Sequence, residues 1–151
     1  MKDKTIDYLL RTTWLSVQKM YNEEAAKFGS TMATGFTLLS IDPENGTPST
    51  SLGPKMGMEP TSLSRLLNAM EKRELIIRSK NPNDGRSVLI HLTPFGRQKR
   101  EDSKAVVLNF NEELNNKLST QKVKHFFEVI EGIRETTLRF EYFKEDTLKQ
   151  I

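Results

Sequence analysis

The 151-residue chain contains no cysteine and only two histidines, His91 and His125. Without cysteine there can be no disulfide, thiolate metal site or thiol-based redox sensor. The two histidines lie 34 residues apart. The sequence also has no nucleophile elbow, phosphate-binding glycine loop or H-E-x-x-H pair. We therefore do not expect an enzyme, and we expect no metal or organic cofactor.

The sequence also lacks any run of about 18 apolar residues that would suggest a membrane span. Charged residues interrupt the first turns, so residues 1–14 do not resemble a signal peptide. Apolar residues make up 36% and charged residues 28% of the chain, a balance typical of one soluble domain with a sizeable core. These features predict a cytoplasmic protein with no membrane partner.

The net positive charge is small overall, but it is concentrated in one segment. The formal net charge is +3, yet residues 55–100 carry ten basic and four acidic side chains. The segments on either side are mildly acidic. A solvated charged face is one explanation of this asymmetry, and a surface that binds a polyanion is the other.

The middle of the chain has the pattern of a helix-turn-helix. Residues 31–41 form a predicted helix with Met32, Phe36, Leu38 and Leu39 inward, and residues 42–48 form a loop. A short helix is expected to start near Ser49 to Ser51, because Pro54 is tolerated only in a first turn. Gly57 supplies the turn before a second helix, which begins at Pro60.

This second helix has one apolar face and one small, polar face. Leu63, Leu66, Leu67 and Met70 cluster on one side at about 100° per residue, and hydroxyl, amide and guanidinium groups lie opposite. Small side chains let a helix enter the major groove, where Arg65 suits guanine and Asn68 suits adenine. An ordinary amphipathic surface helix is the alternative. The residues predicted to contact DNA from this helix are Pro60, Thr61, Ser62, Ser64, Arg65 and Asn68. Phosphate contacts are expected from the preceding helix at Ser49, Thr50 and Lys55.

A β-hairpin is predicted next, with strands at residues 75–80 and 87–92 and a loop rich in turn-forming residues. Arg86, at the base of the loop, is the expected minor-groove probe, because the narrow groove concentrates negative potential. Asp84 is expected to hold the Arg86 guanidinium through a charge-assisted pair. An ordinary hairpin with a surface ion pair is the alternative. The predicted DNA-binding residues of this wing are Arg78, Lys80, Asn81, Asp84 and Arg86.

Long amphipathic helices are predicted at both ends of the chain. Residues 5–28 carry apolar side chains, including Trp14, at spacings of three and four. A helix from Pro94 to Leu118 and another after Ser119 follow the wing. The last helix has an apolar stripe from Val123 through Phe126 and Phe127 to Phe140 and Phe143. Its apolar face exceeds what neighbouring segments can cover, so we expect an oligomer interface.

The segment SLSRLLNAMEKRELIIRSKNPNDGRSVLIHLTPFGR resembles the MarR family of winged-helix bacterial transcription regulators. The matching residues are Ser64, Arg65, Leu67, Glu71 to Arg73, Asp84, Arg86, Leu92, Thr93 and Gly96. The resemblance implies a mainly α fold with a small β-wing (α+β). Residues 31–93 would form the winged helix-turn-helix lobe, and residues 1–30 and 94–151 the helical dimerisation region.

The resemblance further implies a function for the chain. It would be a homodimer on pseudo-palindromic double-stranded DNA, commonly a repressor released by a small aromatic ligand. Such a ligand would lie in a crevice between the dimerisation helices and the DNA lobe, with Trp14, Met32 and Phe36 as candidate contacts. Core packing explains these three residues equally well. A winged-helix DNA-binding protein with no effector, in an architectural or activating role, remains the alternative, as does a winged helix used for protein contacts.

Three departures from the family pattern stand out. Glu74 occupies the position after the recognition helix where the family usually has glycine, so the helix is expected to end differently. Gly85 replaces a basic residue of the wing, which removes one expected phosphate contact. The absence of cysteine excludes the peroxide-sensing branch of the family.

Overall fold

A computed structural model of the protein describes residues 5–140. Over this range the chain forms six helices and three short strands, which divide into two compact units between Leu108 and Asn109. In chain order the elements are α1 (Ile6–Ala26), α2 (Met32–Ser40), β1 (Thr47–Pro48), α3 (Ser49–Met56), α4 (Pro60–Lys72), β2 (Ile76–Lys80), β3 (Val88–Leu92), α5 (Pro94–Lys117) and α6 (Thr120–Arg139). This mainly helical fold with a small sheet agrees with the fold class predicted from the sequence.

The core of the first unit lies between α2, α3, α4 and the sheet. Burial of apolar surface stabilises it at about 25 cal/mol per Å². From α4 the core receives Leu63, Leu67 and Met70, which recur at the helical period and are almost fully buried. The apolar face predicted for this helix is confirmed, and Leu66 is packed at its edge. The other core residues are Leu38, Ile41, Leu52, Leu75, Ile76, Ile90 and Leu92.

The sheet has the order β1-β3-β2, and both pairings are antiparallel. The β2–β3 hairpin pairs Ile76 with Leu92 and Lys80 with Val88, so the predicted strands are confirmed to within one residue at each end. Ile90 and Leu92 are buried, whereas Val88 at the far end is exposed. The hairpin is therefore anchored at the core end, and its loop projects outward as a wing.

Two of the helices before the wing differ from the predictions. In α2 the buried positions are Thr34, Gly35, Thr37 and Leu38, whereas Met32, Phe36 and Leu39 are only partly buried. Of the residues predicted to point inward only Leu38 is fully buried, because threonine and glycine supply the rest of the buried face. Pro54 lies inside α3, beyond the first turn, and the helix ends soon after it at Met56.

Helix α4 ends at a left-handed residue that is not glycine. Glu74 has φ 57°, and it is the only non-glycine residue between positions 5 and 140 with a positive φ. Its N–H donates to the carbonyl of Glu71 and the Leu75 N–H donates to that of Met70, at 2.9 and 3.0 Å. These two bonds form a Schellman motif. The expectation that the helix would end differently here is wrong, because the motif retains the left-handed position despite the Cβ.

This strained position predicts a stabilising substitution. Glu74→Gly should raise the free energy of unfolding by about 1 kcal/mol, because glycine removes the Cβ penalty of the left-handed conformation. Urea unfolding monitored by circular dichroism measures the change. Glu74→Ala retains the Cβ and serves as the control, with no gain expected. Equal stability of the glycine and alanine variants would contradict a backbone origin of the strain.

The start of α5 is joined to the end of α4 by Thr93. The Thr93 hydroxyl accepts a hydrogen bond from the Gly96 N–H at 2.9 Å and donates to the Glu74 carbonyl at 2.6 Å. Gly96 is packed so closely that a Cβ built there would lie 1.9 Å from the Leu75 carbonyl oxygen. Only glycine therefore fits at this contact without a shift of the backbone.

Helices α1 and α6 both carry large exposed apolar side chains. In α1 only Tyr21 and Ala25 are buried, whereas Ile6, Leu15 and Trp14 are exposed. Ser119 caps α6 as predicted, and its hydroxyl accepts from the Lys122 N–H. Every residue of α6 lies within the described range, and none of them is buried. Phe143, at the end of the predicted stripe, lies outside the described residues.

Within the described range no helix is long and apolar enough to cross a membrane.

Candidate nucleic-acid interface

The face of α4 opposite the core is exposed and polar. Its buried stripe of Leu63, Leu67 and Met70 points inward, so Arg65 and Asn68 lie on the outer side. The hydroxyl residues Thr61, Ser62 and Ser64 are also exposed. Pro60 occupies the first position of the helix, where its missing N–H has no consequence for the hydrogen-bond ladder. The outer face predicted from the helical period is therefore exposed to solvent.

Helix α3 and the first turns of α4 line an open groove of about 650 Å³. The groove is lined by Ser49 and Thr50 from α3 and by Pro60 and Ser64 from α4. Lys55 is exposed on α3. The structure therefore places Ser49 and Thr50 next to the predicted recognition helix, whereas Lys55 lies on α3 outside the groove lining.

The wing loop is held by bonds within itself. Asp84 accepts a hydrogen bond from the backbone N–H of Arg86 at 2.9 Å, and Asn81 donates through Nδ2 to the Ser87 hydroxyl at 2.8 Å. The predicted ion pair between Asp84 and the Arg86 guanidinium is not formed, because the carboxylate is used to shape the turn. Asp84 and Asn81 therefore set the conformation of the loop.

Two cationic side chains lie near the end of the wing, Lys80 at the end of β2 and Arg86 in the loop. Both residues are exposed, and within residues 5–140 neither side chain makes an ion pair. Gly85 has no atom within 4 Å of the place where a Cβ would stand. The wing therefore presents two exposed cations, Lys80 and Arg86.

Arg78 has a different environment from the other wing cations. Its guanidinium forms an ion pair with Glu71 and donates to Asn68 Oδ1 at 2.8 Å, so it bridges β2 to α4. The prediction from sequence placed Arg78 among the DNA contacts and did not identify Glu71 as its ion-pair partner. The available signal was that Asn68 and Glu71 are three residues apart and so share a helix face.

Arg73 makes a second link from the end of α4, this time to the turn between α1 and α2. Its guanidinium donates to the backbone carbonyl of Gly29, which ends α1 in a left-handed conformation. A guanidinium that binds a carbonyl forms a charge-assisted hydrogen bond, which is stronger than a neutral one. The sequence contains no signal for this contact, because Gly29 and Arg73 are 44 residues apart.

A narrow crevice lies within the first unit, beside α2. Met32 and Phe36 line it together with Tyr21, Phe28 and Val107. The rings of Tyr21 and Phe36 meet edge to face at 5.5 Å, and burial raises the pKa of Tyr21. Trp14, the third residue predicted for a ligand pocket, does not line the crevice. Its side chain is 46% exposed on α1.

The exposed polar helix, the preceding helix with its turn, and the projecting hairpin together define a winged helix-turn-helix protein. Residues 31–88 match the sequence profile of the MarR family. Over this segment the chain is therefore similar to the MarR family.

Comparison with known proteins gives one relative in sequence and several in structure. An uncharacterized HTH-type transcriptional regulator of Bacillus subtilis, YhbI, is 26% identical over 98 residues. The alignment covers 65% of this chain and 64% of that relative, so this chain spans slightly less than two thirds of the relative's length.

Two solved structures have closely similar folds. The MepR–DNA complex of S. aureus superposes with a TM-score of 0.80 at 20% identity, covering 89% of this chain and 99% of MepR. The transcriptional regulator PcaV of Streptomyces coelicolor, in complex with its natural ligand, superposes with a TM-score of 0.75 at 18% identity. That match covers 89% of this chain and 94% of PcaV. At these identities the likeness establishes the fold alone.

Proposed function

We propose that the protein is a sequence-specific regulator of transcription that binds double-stranded DNA. The observation that carries this proposal is the exposed polar face of α4, on which Arg65 and the hydroxyl residues Thr61 and Ser64 lie opposite a fully packed core face. A helix with small polar side chains and one guanidinium can enter the major groove and read base edges. The fold shared with MepR, which was solved bound to DNA, supports the same function.

The wing and α3 extend this surface beyond the recognition helix. Arg86 projects from a loop in which Asp84 binds the Arg86 backbone N–H, so binding must order the Arg86 side chain but not this turn. We assign it to the minor groove, where the electrostatic potential is most negative. Ser49, Thr50 and Lys55 are assigned to the phosphate backbone beside the groove that α3 and α4 form.

The protein acts as a homodimer in this proposal. The large apolar side chains that α1 and α6 leave exposed support it, since Phe126 and Phe127 are 56% and 65% exposed. Contiguous apolar surface of this kind is characteristic of protein interfaces. Two lobes related by a twofold axis would place two recognition helices on half-sites centred about 10 base pairs apart.

The proposed role is that of a repressor, with a small aromatic effector as the ligand that releases it. The crevice beside α2 supports the effector, because it is lined by aromatic and aliphatic side chains such as Phe36 and Met32. The space inside it that is open to a water-sized sphere is only about 20 Å³, far below the roughly 300–1,000 Å³ typical of small-molecule sites. This size favours the alternative of a regulator without an effector. If compounds of a phenolic ligand panel raise the melting temperature of the protein, the result would support a small-molecule effector.

Arg65→Ala tests base reading by α4. The substitution should weaken binding to the selected operator by about 1–3 kcal/mol and relax the base preference at one position in each half-site. Selection of bound duplexes from genomic fragments, followed by anisotropy titrations, measures both effects. Uniform weakening on every sequence would instead make Arg65 a phosphate contact.

Arg86→Ala tests the wing. Binding should weaken and its salt dependence should become shallower, by about 0.9 in the slope of log K against log salt concentration for each phosphate that the protein no longer neutralises. The fold and the oligomeric state should stay unchanged, because Arg86 is exposed and makes no side-chain ion pair within residues 5–140. Titrations at several salt concentrations provide the slope. Unchanged affinity on every duplex would exclude Arg86 from the interface.

A further inference from the structure

We propose that Arg78 is a positioning residue that fixes how Asn68 reads a base, so that Asn68 selects guanine and not adenine. This inference rests on the proposed function. Arg78 lies in the middle of β2 and pairs with Ile90, which is fully buried. Its side chain is therefore on the sheet face that packs against α4. Only 28% of it is exposed, unlike the free cations of the wing tip.

The contact between the two side chains determines the orientation of the Asn68 amide. The Arg78 guanidinium donates from Nη2 at 2.8 Å to Asn68. A guanidinium has five N–H donors and no acceptor, so the Asn68 atom that it meets must be the carbonyl oxygen. The amide nitrogen, with its two N–H donors, is then directed away from Arg78.

Glu71 holds the guanidinium in this position. It forms an ion pair with Nη1 of the same Arg78 side chain, so the guanidinium is bound by two residues of α4. A charge-assisted bond to Asn68 is also stronger than a neutral one. Rotation of the amide would place an N–H group against the guanidinium N–H and lose this bond. The Asn68 side chain is therefore restricted to one of its two amide orientations.

This restriction changes the base that Asn68 recognises. An unrestrained asparagine reads adenine with both atoms, since its oxygen accepts from N6 and its nitrogen donates to N7. Here the oxygen is already bound by a cation, whereas the N–H donors remain available on an exposed residue. Guanine presents two acceptors, N7 and O6, at the same edge. A donor-only asparagine therefore fits guanine better than adenine.

The test is selection of duplexes from a randomised library by the full-length protein and its variants. The Asn68→Ala variant identifies the base pair that Asn68 reads, because the base preference of the wild type is lost at that position of the selected duplexes. Wild type should favour guanine over adenine there by about tenfold, which is within the range of one good base contact. Arg78→Met should release the amide oxygen and shift the preference at least about tenfold toward adenine. Arg78→Lys, which retains a donor, should keep guanine.

Asn68→Asp provides a second test that does not depend on losing Arg78. The carboxylate can still bind the guanidinium but has no N–H donor, so the preference for guanine should be lost in favour of cytosine, whose N4 is a donor. Adenine at this position in wild type would overturn the inference, and so would an unchanged profile in Arg78→Met or Asn68→Asp. If wild type enriches no sequence at all, the proposed function itself fails. Melting curves of each variant show that it is folded before selection.

Discussion

Replacing Gly96 with alanine is expected to lower the free energy of unfolding by about 3 kcal/mol, one of the two largest effects predicted for this chain. The added Cβ would lie 1.9 Å from the carbonyl oxygen of Leu75. Backbone atoms cannot rotate out of the way as a flexible side chain can, so α5 must move relative to the end of α4. That movement would also stretch the bonds that Thr93 makes to Glu74 and Gly96. Denaturant unfolding followed by circular dichroism measures the loss.

Gly132→Ala is the matched control for this experiment. Gly132 lies inside α6, and no atom is within 4 Å of its Cβ position. Alanine there should stabilise the protein by about 0.5–1 kcal/mol, because glycine is a poor residue for a helix interior. If alanine destabilises the protein at Gly96 and stabilises it at Gly132, the loss at Gly96 is due to the steric contact and not to helix propensity. A Gly96→Ala variant as stable as wild type would show that the backbone can accommodate a Cβ beside the Leu75 carbonyl.

The other large effect is expected from Phe127→Glu on α6. In the proposed homodimer this side chain, which is 65% exposed in the single chain, is buried against the second copy. A carboxylate there would be desolvated without a partner, so the dimer should dissociate. Loss of the second half-site should lower affinity for an operator with two half-sites by about 100-fold or more. Analytical ultracentrifugation and titration with one operator duplex measure the two consequences.

Gln121→Glu introduces the same charge at an exposed position near the start of α6. It should leave both oligomeric state and affinity unchanged, because an acidic residue is compatible with the first turn of a helix. A Phe127→Glu variant that remains dimeric would place the interface elsewhere. A monomeric variant with full affinity would show that one lobe suffices for recognition.

The parts of the fold that follow from local periodicity could be predicted from sequence. The stripe of Leu63, Leu67 and Met70 has the period of a helix, so it predicted both the core face of α4 and its exposed opposite face. The turn residues between the two strands of the hairpin likewise predicted the wing. In α2, by contrast, the buried Thr34 and Thr37 have polar side chains. A pattern based on apolar residues could not assign them to the core.

The pairing of site residues was not predictable in the same way. The partner of Arg78 depends on how β2 is placed against α4, and this placement is set by tertiary packing and not by spacing along the chain. Asp84 was expected to bind the Arg86 side chain but binds its backbone N–H, a choice that only the turn geometry decides. Both cases concern polar side chains with several partners within reach. Sequence periodicity carries no information about which partner is used.

The contact between Arg73 and the Gly29 carbonyl ties one end of α4 to another part of the first unit. It holds the C-terminal end of the helix against the turn after α1, while Thr61 and Ser64 near the other end are exposed. The helix is about 20 Å long, at 1.5 Å per residue over its 13 residues. A rotation of the helix by about 5° about this end would displace its N-terminal end by nearly 2 Å, which is enough to separate a hydrogen-bonding side chain from a base edge.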